Sequence, residues 1–237
     1  MALSHEQPPP STPQRSAEVV VVRHAERMDE TERACAFYQT CGDRWWDPPL
    51  SREGEAQARD VGRRLAAMYP NGQFSAVMCS PTLRTVQTAA YIAAELGLPL
   101  RRVPGLAECA AQVCKHGISR FRGGEASASF QGVPAFTSHT LCFLSEEACT
   151  SLCAPGTRFL PADTTYDQFE PCLKRVAIQS RARRELIVSH REGIREIRML
   201  AGSRDLKTPY CCISSFELIG GSKWIVTQCD EQSTKKS

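Results

Sequence analysis

The sequence predicts an α/β fold, a mostly parallel sheet with helices on both faces. Short apolar runs alternate with amphipathic stretches of helical period, the order that builds strand–helix–strand units. The runs end abruptly in His, Arg, Ser and Glu, as strands do when their carboxyl ends carry a site. With 237 residues, 42% hydrophobic and 23% charged, the chain can bury one good core.

Taken in order, EVVVV at residues 18–22 is a buried strand that breaks into Arg23, His24, Glu26 and Arg27. LSREGEAQARDVGRRLAAMY then supplies Ser51 as an N-cap, acids in the first turn, and Ala58, Val61, Leu65 and Met68 at helical spacing. FSAVMCS is a second strand. Pro81 fits the first position of the next helix, whose face of Leu83, Val86, Ala90, Ala93 and Leu96 ends at Gly97. PLRRVPGL is a short third strand, residues 166–184 a helix, and ELIVSH a fourth strand leading into a helix that ends near Gly202. CCISSFELI and KWIVTQ close the chain as strands, with a hairpin across Gly220 and Gly221.

Residues 1–16 are rich in Pro, Ser and Gln and read as a disordered tail, as do residues 230–237, leaving 17–229 as the globular domain. Pro10, Pro13 and Arg15 have the spacing that SH3 domains bind, a pattern common in such tails. Residues 110–165 show neither helical nor strand period and hold Phe121, Phe130, Phe136, Phe143 and Phe159; they read as a lid-like insertion over the site, or else as a second packing layer.

The formal charge of +3 is too mild for bulk nucleic-acid binding, no run reaches membrane-spanning length, and the N-terminus lacks the basic and apolar regions of a secretory signal. A cytoplasmic location is the expectation. Its 12 cysteines then read as reduced thiols; a zinc set of Cys109, Cys114 and His116 is the weaker alternative, and no metal or cofactor is expected. The composition sets no oligomeric state and is compatible with a homodimer.

Parallel strands bring four ends to one edge: Arg23 and His24, Ser80 to Arg84, Glu108, and His190. Two His and at least two Arg converging suit a phosphoryl group, and the Arg forks of Arg23 and Arg84 match its oxygens. A neutral imidazole held at one ring nitrogen can attack phosphorus with the other, and Glu108 could protonate the leaving alkoxide.

RHAE, LSREGEAQA, SPTLRTVQTA, Glu108 within PGLAEC, and SHREGIR, in this order over residues 18–229, resemble the signatures of the histidine phosphatase superfamily, with its phosphoglycerate-mutase-like fold. The resemblance implies that His24 is the phosphorylated nucleophile, that Arg23, Arg84 and His190 form the phosphate pocket, and that Glu108 is the proton donor. RHAER, DTTY and TPYCCISSFEL look most like the branch of suppressor of T-cell receptor signalling phosphatases and ecdysteroid-phosphate phosphatases, which act on phosphotyrosine or steroid phosphates. That likeness adds Arg27 as a phosphate ligand. The implied activity is metal-independent hydrolysis of a phosphomonoester, on a phosphorylated protein or a small molecule. Arg27, Met28 and Asp29 replace the Ser and Asn that mutases of the family carry there, which favours hydrolysis over isomerisation.

Two departures weigh toward a weak or inactive binding module of the same fold: Ala25 replaces a Gly, and Arg191 and Glu192 replace small residues after His190. Arg195 matches a recurrent family Arg and reads as structural. A rival from another class is a cysteine-dependent phosphatase, since Cys114, Gly117 and Arg120 have the Cys-x-x-Gly-x-x-Arg spacing and Asp47 in WWDPP imitates the acid loop. No apolar strand delivers Cys114, and Phe121 stands where a hydroxyl is expected.

Overall fold

The computed structural model describes residues 18–41, 46–71, 73–107, 153, 156–158, 168–180 and 184–230. Among these, β1 (Glu18–Arg23), β2 (Val77–Cys79), β3 (Leu100–Arg102), β4 (Arg184–Ser189), β5 (Ile213–Ile219) and β6 (Lys223–Asp230) form one sheet in the order β3-β2-β4-β1-β5-β6. The first four lie parallel to one another, while β5 runs antiparallel to β1 and β6 to β5. Val19 to Val22 are shut off from solvent on both faces, as the unbroken valine run requires of a central strand.

Helices cover both faces. On one side α2 (Arg52–Met68) and α3 (Leu83–Leu96) pack on Val20, Val22, Leu186 and Val188. On the other, α4 (Phe169–Gln179) and α5 (Arg191–Leu200) pack on Val19, Val21, Ile187 and Phe216. The alternation of partners along β1 follows from the two-residue period of a strand. A short α1 (Ala34–Thr40) follows a 3₁₀ turn at Met28–Glu30. No helix among the described residues is long and apolar enough to cross a membrane.

The N-cap of α2 is Ser51, whose hydroxyl accepts from Gly54 N at 2.9 Å. Gly54 is required there, because a Cβ would fall 2.2 Å from the Glu26 carbonyl oxygen. Gly97 closes α3 in the left-handed region, and Gly220 and Gly221 do the same for the β5–β6 hairpin.

Two boundaries differ from expectation. Pro81 precedes the helix, since α3 begins at Leu83 with Thr82 as N-cap. The chain stays extended there because Asp47, from a distant loop, accepts from Leu83 N at 2.7 Å and caps the helix from outside. The helix expected over 166–184 spans Phe169–Gln179, and Ser180 is already extended, its hydroxyl donating to Glu185 Oε1 at 2.7 Å. The tails, Glu108, Cys114, Asp163 and all but four residues of the 110–165 stretch lie outside the described residues. Arg158 is one of the four, and its carbonyl accepts from Leu100 N at 2.8 Å, on the edge strand β3.

Candidate active site

The carboxyl ends of β1, β2 and β4 sit side by side, so the residues that follow them share one edge. His24 N donates to Ser189 O at 3.0 Å, and Ser80 N donates to Val188 O at 3.1 Å, which fixes the backbone under both histidines.

His24 is buried, and its Nδ1 lies 2.8 Å from the Ala25 carbonyl oxygen. A carbonyl can only accept, so Nδ1 carries the proton and Nε2 keeps its lone pair. Burial, then the nearby charges of Arg84, Arg23 and His190, push the His24 pKa well below its ordinary 6.5. Near neutral pH the ring is therefore uncharged, with one nitrogen held and the other nucleophilic.

His190 is the N-cap of α5 and packs edge-on against His24, ring centroids 5.4 Å apart. Arg84 Nη2 lies 3.4 Å from His190 Nδ1 and can only donate, while His190 Nε2 is 2.8 Å from Ser80 Oγ. Arg84 enters from the first turn of α3 and is 1% exposed. Asp47 Oδ1 stands 3.7 Å from Arg84 Nη1, so the carboxylate that caps α3 also faces this guanidinium. Thr82, Thr85 and Ser80 knit the turn between β2 and α3 through Thr85 Oγ1, which donates to the Ser80 carbonyl at 2.7 Å.

Arg23 ends β1. Its Nη1 donates to the Thr208 carbonyl at 2.7 Å, and its guanidinium carbon lies 3.9 Å from the centroid of the Tyr210 ring. Arg23 Nε is buried and has no hydrogen-bond partner among the described residues. Burial pushes the Arg23 pKa down, partly offset by Tyr210 and Glu30. Thr208 is held in turn by α5: Arg195 Nε donates to Leu206 O at 3.0 Å and the fully buried Arg198 to Lys207 O at 2.5 Å. Arg195 is thus structural, as the sequence suggests.

Arg27 is placed near this group but turned elsewhere. It forms a two-pronged pair with Asp29, Nε to Oδ1 at 2.8 Å and Nη2 to Oδ2 at 2.5 Å, with Glu30 at 3.8 Å. Burial opposes its charge, but these carboxylates outweigh that and raise its pKa. Glu26 is also engaged, accepting from Ser51 Oγ at 2.8 Å, so it belongs to the α2 cap.

The Ala25 methyl does not crowd an open pocket. Ala25 is fully buried in the core cluster with Leu50, Ala58 and Ala89, and its N–H donates to Thr88 Oγ1 at 3.1 Å. Cys211, next to the site, is a non-glycine residue at φ 61°, a conformation costing roughly 1 kcal/mol. Burial pushes the Cys211 thiol up to about 12 and the Cys212 thiol to about 11, which leaves both inert at neutral pH. No cluster of three metal-ligating side chains occurs among the described residues.

Four of the six expected site residues therefore meet: Arg23, His24, Arg84 and His190. Arg27 is tied to acids, and Glu108 lies outside the described residues. Asp47, Ser80, Thr208 and Tyr210 complete the frame; Ser80 was legible as a strand-end residue and Asp47 as part of a mimic of a different enzyme's loop, whereas Thr208 and Tyr210 stood within TPYCCISSFEL with no role of their own.

This arrangement of a parallel sheet edge and paired histidines is that of the phosphoglycerate-mutase-like fold. The family model described as histidine phosphatase superfamily (branch 1) matches residues 19–126. Solved structures share the fold at low identity. A putative alpha-ribazole-5'-P phosphatase from Escherichia coli is 14% identical with a TM-score of 0.50, over 94% of this chain and 100% of that one. The protein histidine phosphatase SixA, complexed with tungstate, is 14% identical with a TM-score of 0.51, over 90% and 95%. A protein titled mycobacterial hydrolase 1 is 14% identical with a TM-score of 0.50, over 90% and 98%. No curated protein matches the chain.

Proposed function

We propose that this chain is a phosphomonoester hydrolase working through a phosphohistidine at His24. The observation that carries the reading is the state of that ring: buried, uncharged, donating from Nδ1 to the Ala25 carbonyl, and within the electrostatic reach of Arg84 and Arg23. In the first step the Nε2 lone pair forms a bond to phosphorus as the bond to the ester oxygen breaks. Arg23 and Arg84 take the charge on the equatorial oxygens, and Glu108 gives its proton to the leaving alkoxide. In the second step Glu108, now a carboxylate, takes a proton from water, whose oxygen bonds to phosphorus as the N–P bond breaks. Inorganic phosphate and neutral His24 are restored. His190 orients Arg84 through its Nδ1.

Every step uses side chains of this chain, so activity should persist in EDTA. The domain carrying it is residues 17–229, with 110–165 as the insertion that shapes the mouth. The likeness of RHAER and TPYCCISSFEL to the T-cell receptor and ecdysteroid-phosphate phosphatases supports phosphotyrosine proteins or small aryl and steroid phosphates as substrates. A phosphohistidine protein, as in the printed name of SixA, is the alternative substrate. The engagement of Asp47 with Leu83 N and Arg84 supports the histidine reading over the cysteine-dependent one. The test is turnover of p-nitrophenyl phosphate in EDTA: wild type should hydrolyse it and His24→Ala should not. Undiminished hydrolysis by His24→Ala would overturn the reading.

A further inference from the structure

We infer that Tyr210 is a positioning residue for Arg23, the aromatic platform that aims its two-donor edge at the phosphoryl group. A guanidinium has two edges that can grip two oxygens of a phosphate at once, Nε with Nη2 and Nη1 with Nη2. In Arg23 the second edge is compromised because Nη1 already donates to the Thr208 carbonyl at 2.7 Å, which leaves the first. The Nε–Nη2 edge carries no hydrogen bond among the described residues, and its Nε is buried, a cost that persists unless a ligand satisfies the N–H. What stops the fork rotating away is Tyr210, whose ring centroid lies 3.9 Å from the guanidinium carbon. The same ring lies 5.5 Å from that of His24, tilted by 54°, so one aromatic side chain contacts both the fork and the nucleophile.

The platform is itself fixed. The Tyr210 hydroxyl donates to Glu30, which belongs to the turn that Arg27 and Asp29 brace, and Tyr38 OH donates to Asp29 Oδ2 at 3.0 Å. This is also the place for Arg27: it pairs with Asp29 and lies 3.8 Å from Glu30, the acid that accepts from Tyr210. Cys211 provides the independent sign that the ring's placement matters. Its left-handed backbone lets Cys211 and Cys212 enter the core while Tyr210 faces the site, and strain of this kind persists where the surroundings enforce it.

The inference rests on the reading of Arg23 as a phosphate ligand, and binding of inorganic phosphate tests it without turnover. Tyr210→Leu should weaken phosphate binding, measured by calorimetry on the full chain, by about 3- to 30-fold, the range of a partly desolvated cation–π contact. Tyr210→Phe keeps the face and should stay within about 3-fold of wild type. Tyr210→Met, bulky but without a π face, is the second variant if the Leu protein does not fold. Because Arg23 acts on the transferred group, kcat/KM of Tyr210→Leu should fall by the same factor for p-nitrophenyl phosphate and for an alkyl phosphate. Unchanged phosphate affinity in the Leu and Met variants would overturn the inference, as would equal losses in Phe and Leu, or a loss confined to the aryl ester. Tyr210-dependent phosphate binding without any phosphohistidine would support this inference while sinking the hydrolase reading.

Discussion

Removing the Asp47 carboxylate should loosen the site and the fold together. Asp47 and Arg84 side chains are each 1% exposed, and Oδ1 both accepts from Leu83 N at 2.7 Å and stands 3.7 Å from Arg84 Nη1. Taking one partner from a buried ion pair costs about 3–5 kcal/mol, because the remaining charge stays desolvated. For a domain of this size that lowers Tm by roughly 6–20 °C. Asp47→Ala should show the whole loss by calorimetry and urea unfolding at pH 7. Asp47→Asn keeps an acceptor for Leu83 N and loses only the charge, so it should fall between. Saturating inorganic phosphate restores negative charge beside Arg84, so it should raise the Tm of Asp47→Ala more than that of wild type. A Tm for Asp47→Ala within about 2 °C of wild type, the range of a surface change, would refute the reasoning. A loss of activity confined to substrates with poor leaving groups, at unchanged stability, would instead make Asp47 an acid.

Three further outcomes follow from the same geometry. Because the His24 pKa is depressed when folded, His24 contributes stability that is fully present above its unfolded value near 6.5 and lost as pH falls toward the folded value; stability should drop over that window by at most about 1.4 kcal/mol per pH unit, and His24→Gln should flatten the slope of unfolding free energy against pH. Arg84→Ala should cost more kcat/KM than Arg27→Ala, whose effect should appear chiefly as lost stability of the Asp29 turn; equal losses in kcat/KM would mean that Arg27 reaches the phosphate. Glu108→Gln should slow alkyl phosphates far more than p-nitrophenyl phosphate, by up to about 10²- to 10⁴-fold, and equal slowing would assign Glu108 a structural role.

The legible parts of this protein are those written in local chemistry. Ser51 before a helical face, Gly97 after one, and Gly220–Gly221 between two strands each name their own geometry, and each is found there. Arg23, His24, Arg84 and His190 were legible because parallel strands must deliver their carboxyl-end residues to one edge. The start of α3 was not, because its cap comes from Asp47, 36 residues away from Leu83. Tyr210 and Thr208 stood in a recognised segment, but their contact with Arg23 was silent for the same reason, Thr208 meeting it across 185 residues of chain. Arg27 was read through a motif as a phosphate ligand, and its pairing with Asp29, two residues on, was not legible there.

The measurement that bears most directly on the central claim is the site of covalent phosphate in a rapidly quenched reaction with p-nitrophenyl phosphate, mapped by mass spectrometry under conditions that preserve acid-labile N–P bonds. The account predicts phosphate on His24, absent in His24→Ala and unaffected by Cys114→Ser. Phosphate on Cys114, or burst-free turnover with no labelled histidine, would contradict it.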